Sequence, residues 1–307
     1  MRVLVTGGAG FIGSHVACAL IEGGHEVTVL DDLSSGRREN VPRDAGFIEA
    51  DIRSSVAARA IGDFAPEALV HHAAQVDVRR SVADPSFDVG VNVLGTVNLL
   101  EACIEAGTRR VVFASTGGAI YGQQDSFPAS ESHPIRPISP YGCSKAAVEL
   151  LLGYYGQVHG LSWIALRYAN VYGPGQDPHG EAGVVAIFCK KLLAKETCTV
   201  FGDGRQTRDY VFVGDVALAN VLALQSDYRG PVNIGTGLET EVLALHALLA
   251  KAAGVSSEPE YARARAGEQS RSSIDYSLAV RVLGWRPETD LARGAALTLE
   301  HFRQPTG

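Results

Sequence analysis

Basic clusters, paired cysteines and metal-ligand spacings are all missing from this 307-residue chain. Each absence excludes a class of function. Lysine and arginine total 27 against 34 acidic residues, giving a net charge of -7, and the cations are scattered rather than grouped. That argues against a nucleic-acid surface. Five cysteines (Cys18, Cys103, Cys143, Cys189, Cys198) form no CxxC pair. An odd, dispersed set suits reduced thiols and a cytoplasmic location. The histidines lack ligand spacing, with only His71 and His72 adjacent, so no metal site is expected. No apolar run comes near the roughly 18 residues of a membrane span. Met1-Arg2 leads at once into the apolar Val3-Leu4-Val5, a start that fits no signal peptide. Internal repeats and low-complexity stretches are also lacking.

What is present is a large apolar fraction, 46%, enough for one big domain or two modest ones. The first half alternates short apolar runs with helical spacings. Strands are predicted at 3–6, 26–30, 47–50, 68–72, 110–115 and 162–166. Helices are predicted at 11–22, 54–63, 87–106 and 141–159. Continuous apolar strands between helices indicate a parallel sheet covered on both faces, doubly wound by crossover handedness. After Arg167 the texture becomes turn-rich from Tyr172 to Gly180. Helices follow at 183–194, 215–225, 244–253 and 277–283, with strands near 200, 210–213 and 232–234. The predicted fold class is α/β: a doubly wound parallel Rossmann sheet over residues 1–167 and a smaller α/β substrate domain over 168–307. Segments near 210–234 are expected to return to the sheet.

Gly7, Gly10 and Gly13 punctuate the turn between the first strand and the first helix, with Phe11 and Ile12 between the last two. Glycines there permit a tight turn, a close backbone approach to a pyrophosphate and close helix–strand packing. The helix N-terminus faces the phosphates. Asp31 ends the second strand, where a carboxylate binds the adenosine ribose hydroxyls and opposes a 2′-phosphate, favouring NAD over NADP. Arg37 and Arg38 read as a solvated loop. Asp51-Ile52 ends the third strand, placed for the adenine amine or for a helix N-cap.

Tyr141 and Lys145 are four residues apart and share one helix face. Ser139 precedes them as N-cap, with Pro140 at the first helical position. A lysine ammonium beside a tyrosine lowers the phenol's pKa toward working pH, so it can take a proton from an alcohol. Cys143 lies between them and reads as a small packing residue. Thr116 ends the fifth strand as a hydroxyl or a cap.

Five strings, in this order, resemble the extended short-chain dehydrogenase/reductase family. They are the glycine motif, Ala114-Ser115-Thr116-Gly117-Gly118, Tyr141-Gly142-Cys143-Ser144-Lys145, Arg167-Tyr168-Ala169-Asn170 and Arg208-Asp209-Tyr210. The resemblance covers nearly the whole chain. Within the family it points to the bacterial nucleotide-sugar 4-epimerases that interconvert UDP-glucose and UDP-galactose. It implies an NAD-dependent isomerase that works through a transient 4-keto sugar and holds its cofactor tightly. It also implies a cytoplasmic homodimer with no membrane or nucleic-acid partner.

The same resemblance implies residue roles. Tyr141 is the acid/base, Lys145 holds the nicotinamide ribose, and Thr116 meets the reacting oxygen with Ser115 beside it. Asp32, Ser35, Gly36, Ala73, Ala74, Asn92 and Tyr168 complete the cofactor set. Asn170, Val184, Val200, Phe201, Arg208, Arg265, Glu268 and Ser272 form the sugar-nucleotide set. Arg263 and Arg271 compete with Arg265 for the diphosphate. A 4,6-dehydratase needs an acidic pair where this chain has Gly117-Gly118. Ser272 stands where some relatives carry a tyrosine, which leaves room for larger sugars. UDP-glucuronate/UDP-galacturonate, with Ser81, Arg79, Arg80 or Arg136 as carboxylate partners, and UDP-N-acetylhexosamine are therefore the alternatives. A non-catalytic NAD(P) sensor is a minor one, because tyrosine, lysine and hydroxyl are all present.

Overall fold

The computed structural model describes residues 1–178, 183–264 and 269–303. Strand β1 (Arg2–Thr6) is flanked by β2 (Glu26–Asp31) and β4 (Ala68–His71). Outward from these run β3 (Gly46–Glu49) on one side and β5 (Arg110–Thr116), β6 (Ser162–Tyr168) and β11 (Gly230–Ile234) on the other. The order β11-β6-β5-β4-β1-β2-β3 is parallel throughout. The chain winds outward first to one side of β1 and then to the other, which makes the sheet doubly wound. Ligand crevices in such sheets lie at the C-terminal strand ends, where the winding switches sides.

The alternation of side chains along β1 sorts the core into two layers. Val3 and Val5 face one layer, with Val16 and Leu20 of α1 (Phe11–Glu22) and Val216 of α9 (Val213–Gln225). Leu4 faces the other, with Ile61 of α2 (Ser55–Phe64), Leu99 of α5 (Gly95–Glu105) and Leu152 of α7 (Pro140–His159). All of these side chains are fully buried. Burying one of them contributes about 1.5–3 kcal/mol.

Between β4 and α5 lie α3 (Val78–Ala83), α4 (Pro85–Val89) and a π-helical segment, Gly90–Leu94. The helix expected over 87–106 therefore contains a wide turn. The run Pro85–Glu105 also corrects the expectation about apolar stretches: by length and composition alone it is long and apolar enough to cross a membrane. It is instead a core element, packed on α2 and α7, with Asp88 and Asn92 buried inside it.

Most of the remaining elements build a smaller layer. They are β7 (Asn170–Tyr172), α8 (Val184–Leu193), β8 (Thr199–Phe201), β9 (Thr207–Arg208), β10 (Tyr210–Phe212), β12 (Thr240–Glu241), α10 (Val242–Ala253), β13 (Glu260–Ala262) and α12 (Leu291–Arg303), whereas α6 (Gly117–Ile120) packs on α7 and β6, and α11 (Ser277–Leu283) on β11 and α9. Three two-stranded sheets, β10-β7, β12-β9 and β13-β8, join distant segments. Their apolar centre unites Phe188, Leu192, Val200, Leu245, Leu249 and Leu299. Helix α12 escaped the sequence reading because Gly294 interrupts its pattern. The glycine is required there, since a Cβ would run into the Tyr172 hydroxyl.

Candidate active site

Helix α7 begins as the sequence predicts. The Ser139 side chain accepts a hydrogen bond from Gly142 N at 3.2 Å, and Pro140 follows it. Such a cap stabilises a helix by about 1 kcal/mol. Gly160, in a left-handed conformation, ends the helix. This phase turns Lys145 inward, where Nζ donates to the Ala114 carbonyl at 2.8 Å and lies 4.6 Å from the Phe113 ring centroid. The Tyr141 ring centroid is 5.8 Å from Nζ.

Burial pulls the Lys145 ammonium down to about 8, against the opposing pull of Asp88 and Glu149. Burial pushes the Tyr141 phenol above the ordinary tyrosine range, and the Asp88 charge adds to the push. The expected lowering of the phenol by Lys145 is thus reversed in the chain alone. Burial dominates, the charge acting on the phenol is the negative Asp88, and the ammonium donates to the Ala114 carbonyl. Cys143 also departs from expectation: it is exposed on α7 rather than packed.

Thr116 leaves β5 opposite Tyr168 of β6. Its Oγ1 accepts from Ala119 N at 3.2 Å and caps α6, while its own proton stays available for donation. A methyl placed on Gly118 would find Asn170 Oδ1 at 3.8 Å and Thr116 Oγ1 at 3.9 Å, so those two polar atoms flank the same small space. Ser115 is committed elsewhere. Its Oγ donates to Glu149 at 2.6 Å, within a buried pair in which Arg167 binds the same carboxylate at 2.6 and 3.0 Å.

The glycine loop meets the geometric demands of a dinucleotide. Gly7 has φ +70°, and a Cβ there would lie 2.5 Å from Ala73 N; a Cβ at Gly13 would strike the Gly7 carbonyl. Gly10 N-caps α1 without a side-chain hydrogen bond, and the first turn has no acidic residue. The uncapped N–H groups and the helix dipole favour an anion. Phe11 and Ile12 open that first turn. Asp31 accepts from Ala9 N at 3.0 Å and Leu33 N at 2.9 Å, which orients its carboxylate beside the loop. Burial pushes that carboxyl upward against these two bonds. Gly36 packs on Ala9, Asp32 accepts from Ser34 N at 3.0 Å, and Ser35 is exposed. These residues fit a bound NAD.

Other expected cofactor contacts are already engaged. Asp51 is paired with Arg53 at 2.5 Å. The Ile52 carbonyl accepts from Asn98 at 2.7 Å, and its side chain fills the space over Gly95. Asn92 lies inside the helical run rather than ahead of it, and brackets the chain after β4. Its Oδ1 accepts from Gln75 N at 2.8 Å and its Nδ2 donates to Gln75 O at 3.0 Å. Ala73 N donates to Thr6 Oγ1 at 3.3 Å, and Ala74 follows. The Tyr168 hydroxyl sits between His72 at 3.2 Å and Asn220 at 2.9 Å.

Among the residues expected to meet the sugar nucleotide, Asn170 N donates to the Asp209 carbonyl at 2.8 Å, and Arg208 Nη1 donates to Thr207 O at 2.8 Å. Val200 is buried on β8 beside the half-buried Phe201; Val184 opens α8, and Ser272 is buried. Arg271 pairs with Glu239 at 2.5 Å and covers the Phe127 ring at 3.9 Å. Arg263 is exposed. Arg265 and Glu268 lie outside the described residues. No group of three potential metal ligands occurs among the described residues.

The sequence profile of the NAD dependent epimerase/dehydratase family matches residues 3–235. The chain belongs to the NAD-dependent epimerase/dehydratase family. NAD is accordingly its cofactor and nucleotide-sugar isomerisation its class of chemistry. UDP-glucose 4-epimerase of Mycolicibacterium smegmatis is 48% identical over 99% of both chains. The structure of UDP-glucose 4-epimerase from Thermotoga maritima with UDP-glucose superposes with a TM-score of 0.97, at 47% identity and 99% coverage of both chains. The UDP-glucose 4-epimerase of Thermus thermophilus in complex with NAD gives 0.94 at 49% identity, covering 99% of this chain and all of that one. Against this family background, sequence reasoning passed over Asp88, Glu149 and Arg167. An Asp and an Asn four residues apart inside an apolar helix was the available signal for the first.

Proposed function

We propose that the chain interconverts UDP-glucose and UDP-galactose by NAD-dependent 4-epimerisation, with Tyr141 as acid/base. The carrying observation is the inward Tyr141–Lys145 face set against β5, with Thr116 and Asn170 flanking Gly118 and glycine at both 117 and 118. NAD, when bound, would supply the reversible hydride acceptor for the sugar C4. Tyr141 takes the C4 hydroxyl proton and later returns it. Lys145 has N–H donors left beyond Ala114 for the cofactor ribose. Thr116 donates to the reacting oxygen, and Arg208 with one of Arg263, Arg265 and Arg271 holds the diphosphate. The seven-stranded sheet carries the cofactor, the smaller layer carries the sugar nucleotide, and the boundary falls near Arg167.

A dehydratase is disfavoured by space as well as by chemistry. A Cβ at Gly117 would lie 2.7 Å from Ile274 Cδ1, so an acid there would require the Ile274 side chain to shift. A uronate is disfavoured because two candidate partners are engaged: Ser81 donates to Val78 O at 2.7 Å and Arg136 pairs with Asp125 at 2.9 Å. The five cysteines are all free, which supports a cytoplasmic setting. Large exposed apolar residues on the outer helices, Leu94, Leu150, Tyr154 and Val158, support a homodimer. Purified protein given UDP-glucose alone should form UDP-galactose with no added NAD and no accumulating NADH. Steady NADH formation would instead identify a net dehydrogenase.

A further inference from the structure

Asp88 is fully buried on α4, facing the catalytic turn of α7. Its Oδ2 accepts from Ser144 Oγ at 2.6 Å, the residue between Cys143 and Lys145. Its Oδ1 accepts from Gln75 Nε2 at 2.9 Å and Asn92 Nδ2 at 3.1 Å. All three donors are neutral, and no ion pair to this carboxylate occurs among the described residues. Burying a carboxylate without an ion pair costs stability that three hydrogen bonds from neutral donors offset only in part. Gln75 and Asn92 hold each other as well, so the charge is fixed at once by the segment after β4, the π-helical turn and α7.

Because Asp88 would act on the Tyr141–Lys145 pair, the inference rests on the function proposed above. We propose that Asp88 is a positioning residue for the reaction: its buried carboxylate, fixed by Ser144, Gln75 and Asn92, sets the phase of α7 beneath the Tyr141–Lys145 pair and places a fixed negative charge behind Lys145. The charged and titratable groups around the pair are few. Asp88 stands on the α4 side and Glu149 on α7 itself, the latter already bound to Arg167 of β6. His71 ends β4 and His72 follows it, both pushed below their ordinary range by burial and by the Lys145 charge, so both are neutral. Arg79 and Arg80 of α3 are exposed. Among the described residues, Asp88 is the buried carboxylate whose charge pushes both the lysine and the phenol upward.

This bias gives the site a defined resting state. In that state the phenol is un-ionised, so it has to release its own proton to solvent before it can accept one from a sugar hydroxyl. The Ser144 bond adds a mechanical role. Ser144 immediately precedes Lys145, so a shift at Ser144 rotates the ammonium relative to the Ala114 carbonyl.

Asp88→Asn separates charge from shape. The new Oδ1 can accept from Gln75 and Asn92, and the new Nδ2 can donate to Ser144 Oγ, so the bonding pattern survives while the charge goes. The chain has only five lysines: Lys145, Lys190, Lys191, Lys195 and Lys251. Their ¹³Cε resonances in the NAD-loaded protein can be followed singly through a pH titration, with Lys145→Ala assigning the key signal. In Asp88→Asn the Lys145 midpoint should fall by about one unit or more, with the other four unmoved. An unmoved Lys145 midpoint in a folded variant overturns the proposal and assigns Asp88 to structure alone. Should the amide not be tolerated, Asp88→Ser, which leaves room for a water on the same donors, asks the same question with the same two outcomes. The readout needs no turnover. A chain inactive on UDP-glucose would sink the functional reading yet leave this titration decisive, and an active chain with an unmoved midpoint would sink only the role of Asp88.

Discussion

The proposed cofactor side and the proposed sugar side of this molecule are built by different means. The cofactor side is a local construction. Gly7, Gly10 and Gly13 sit within seven residues, Asp31 reaches them through Ala9, and Tyr141 and Lys145 share little more than one turn of one helix. The sugar side is stitched from afar. Asp209 accepts from Thr236 N at 2.8 Å, Thr236 Oγ1 at 2.6 Å, Gly237 N at 3.0 Å and Ile274 N at 3.2 Å. Gln269 donates to the Gly122 carbonyl, and Ser273 N donates to Gln124 Oε1 at 3.1 Å. A local site depends on single residues whose backbone or chemistry cannot be replaced. A stitched site depends on a few hubs and tolerates change between them.

That contrast can be broken by experiment. The largest effect should come from Tyr141→Phe, which should lower kcat by about 10²–10⁴, the range for losing a general acid/base, with UDP-sugar affinity nearly intact. Near-normal turnover would remove Tyr141 from its assigned role. Gly7→Ala comes next. Its positive φ and the 2.5 Å approach to Ala73 N should strip the purified protein of NAD, seen as a lost absorbance shoulder after denaturation. Full NAD content would show that the loop is not the constraint described here.

Asp209→Asn should act on the sugar side alone. One of its oxygens becomes a donor facing backbone N–H groups, which costs about 1–3 kcal/mol of stability. The apparent KM for UDP-glucose should rise several-fold while bound NAD stays constant. Equal loss of both ligands would mean that the two sides are not separable in this way. Ser272→Tyr should give the smallest effect: a modest, selective loss with bulkier N-acetylated sugars, measured as a ratio of kcat/KM values. An unchanged ratio would place the residue 272 side chain away from the sugar.

The same division explains what was legible in the sequence. Strands β1 to β6 and helices α1 and α7 were read within a residue or two, because hydrophobic period, caps and glycine punctuation are local signals. The single helix expected over 87–106 was read correctly in extent, but the π-helical turn was not. That turn depends on Asp88 and Asn92 finding Gln75 and Ser144, partners that no spacing announces. The reversed tyrosine shift was illegible for the same reason: it comes first from burial by the folded chain and then from a carboxylate 53 positions upstream, at 88 against 141. Strands β9, β12 and β13 were missed because two- and three-residue pairings between distant segments carry no periodicity. Ser115 and Asp51 were read by type and position, whereas their side chains are spoken for by Glu149 and Arg53.

After departing from β6, the chain builds β7 to β10 and then comes back to lay β11 alongside β6, from Gly230 beside Ile164 to Ile234 beside Tyr168. The polypeptide cannot therefore be divided into two independently expressed pieces at the apparent midpoint. A fragment stopping there would present the whole edge of β6, from Ile164 to Tyr168 and with open amide groups, to any passing strand. Gene fission or the grafting of a new recognition half onto this scaffold would have to carry residues 230–234 with the front piece, or expect an insoluble product.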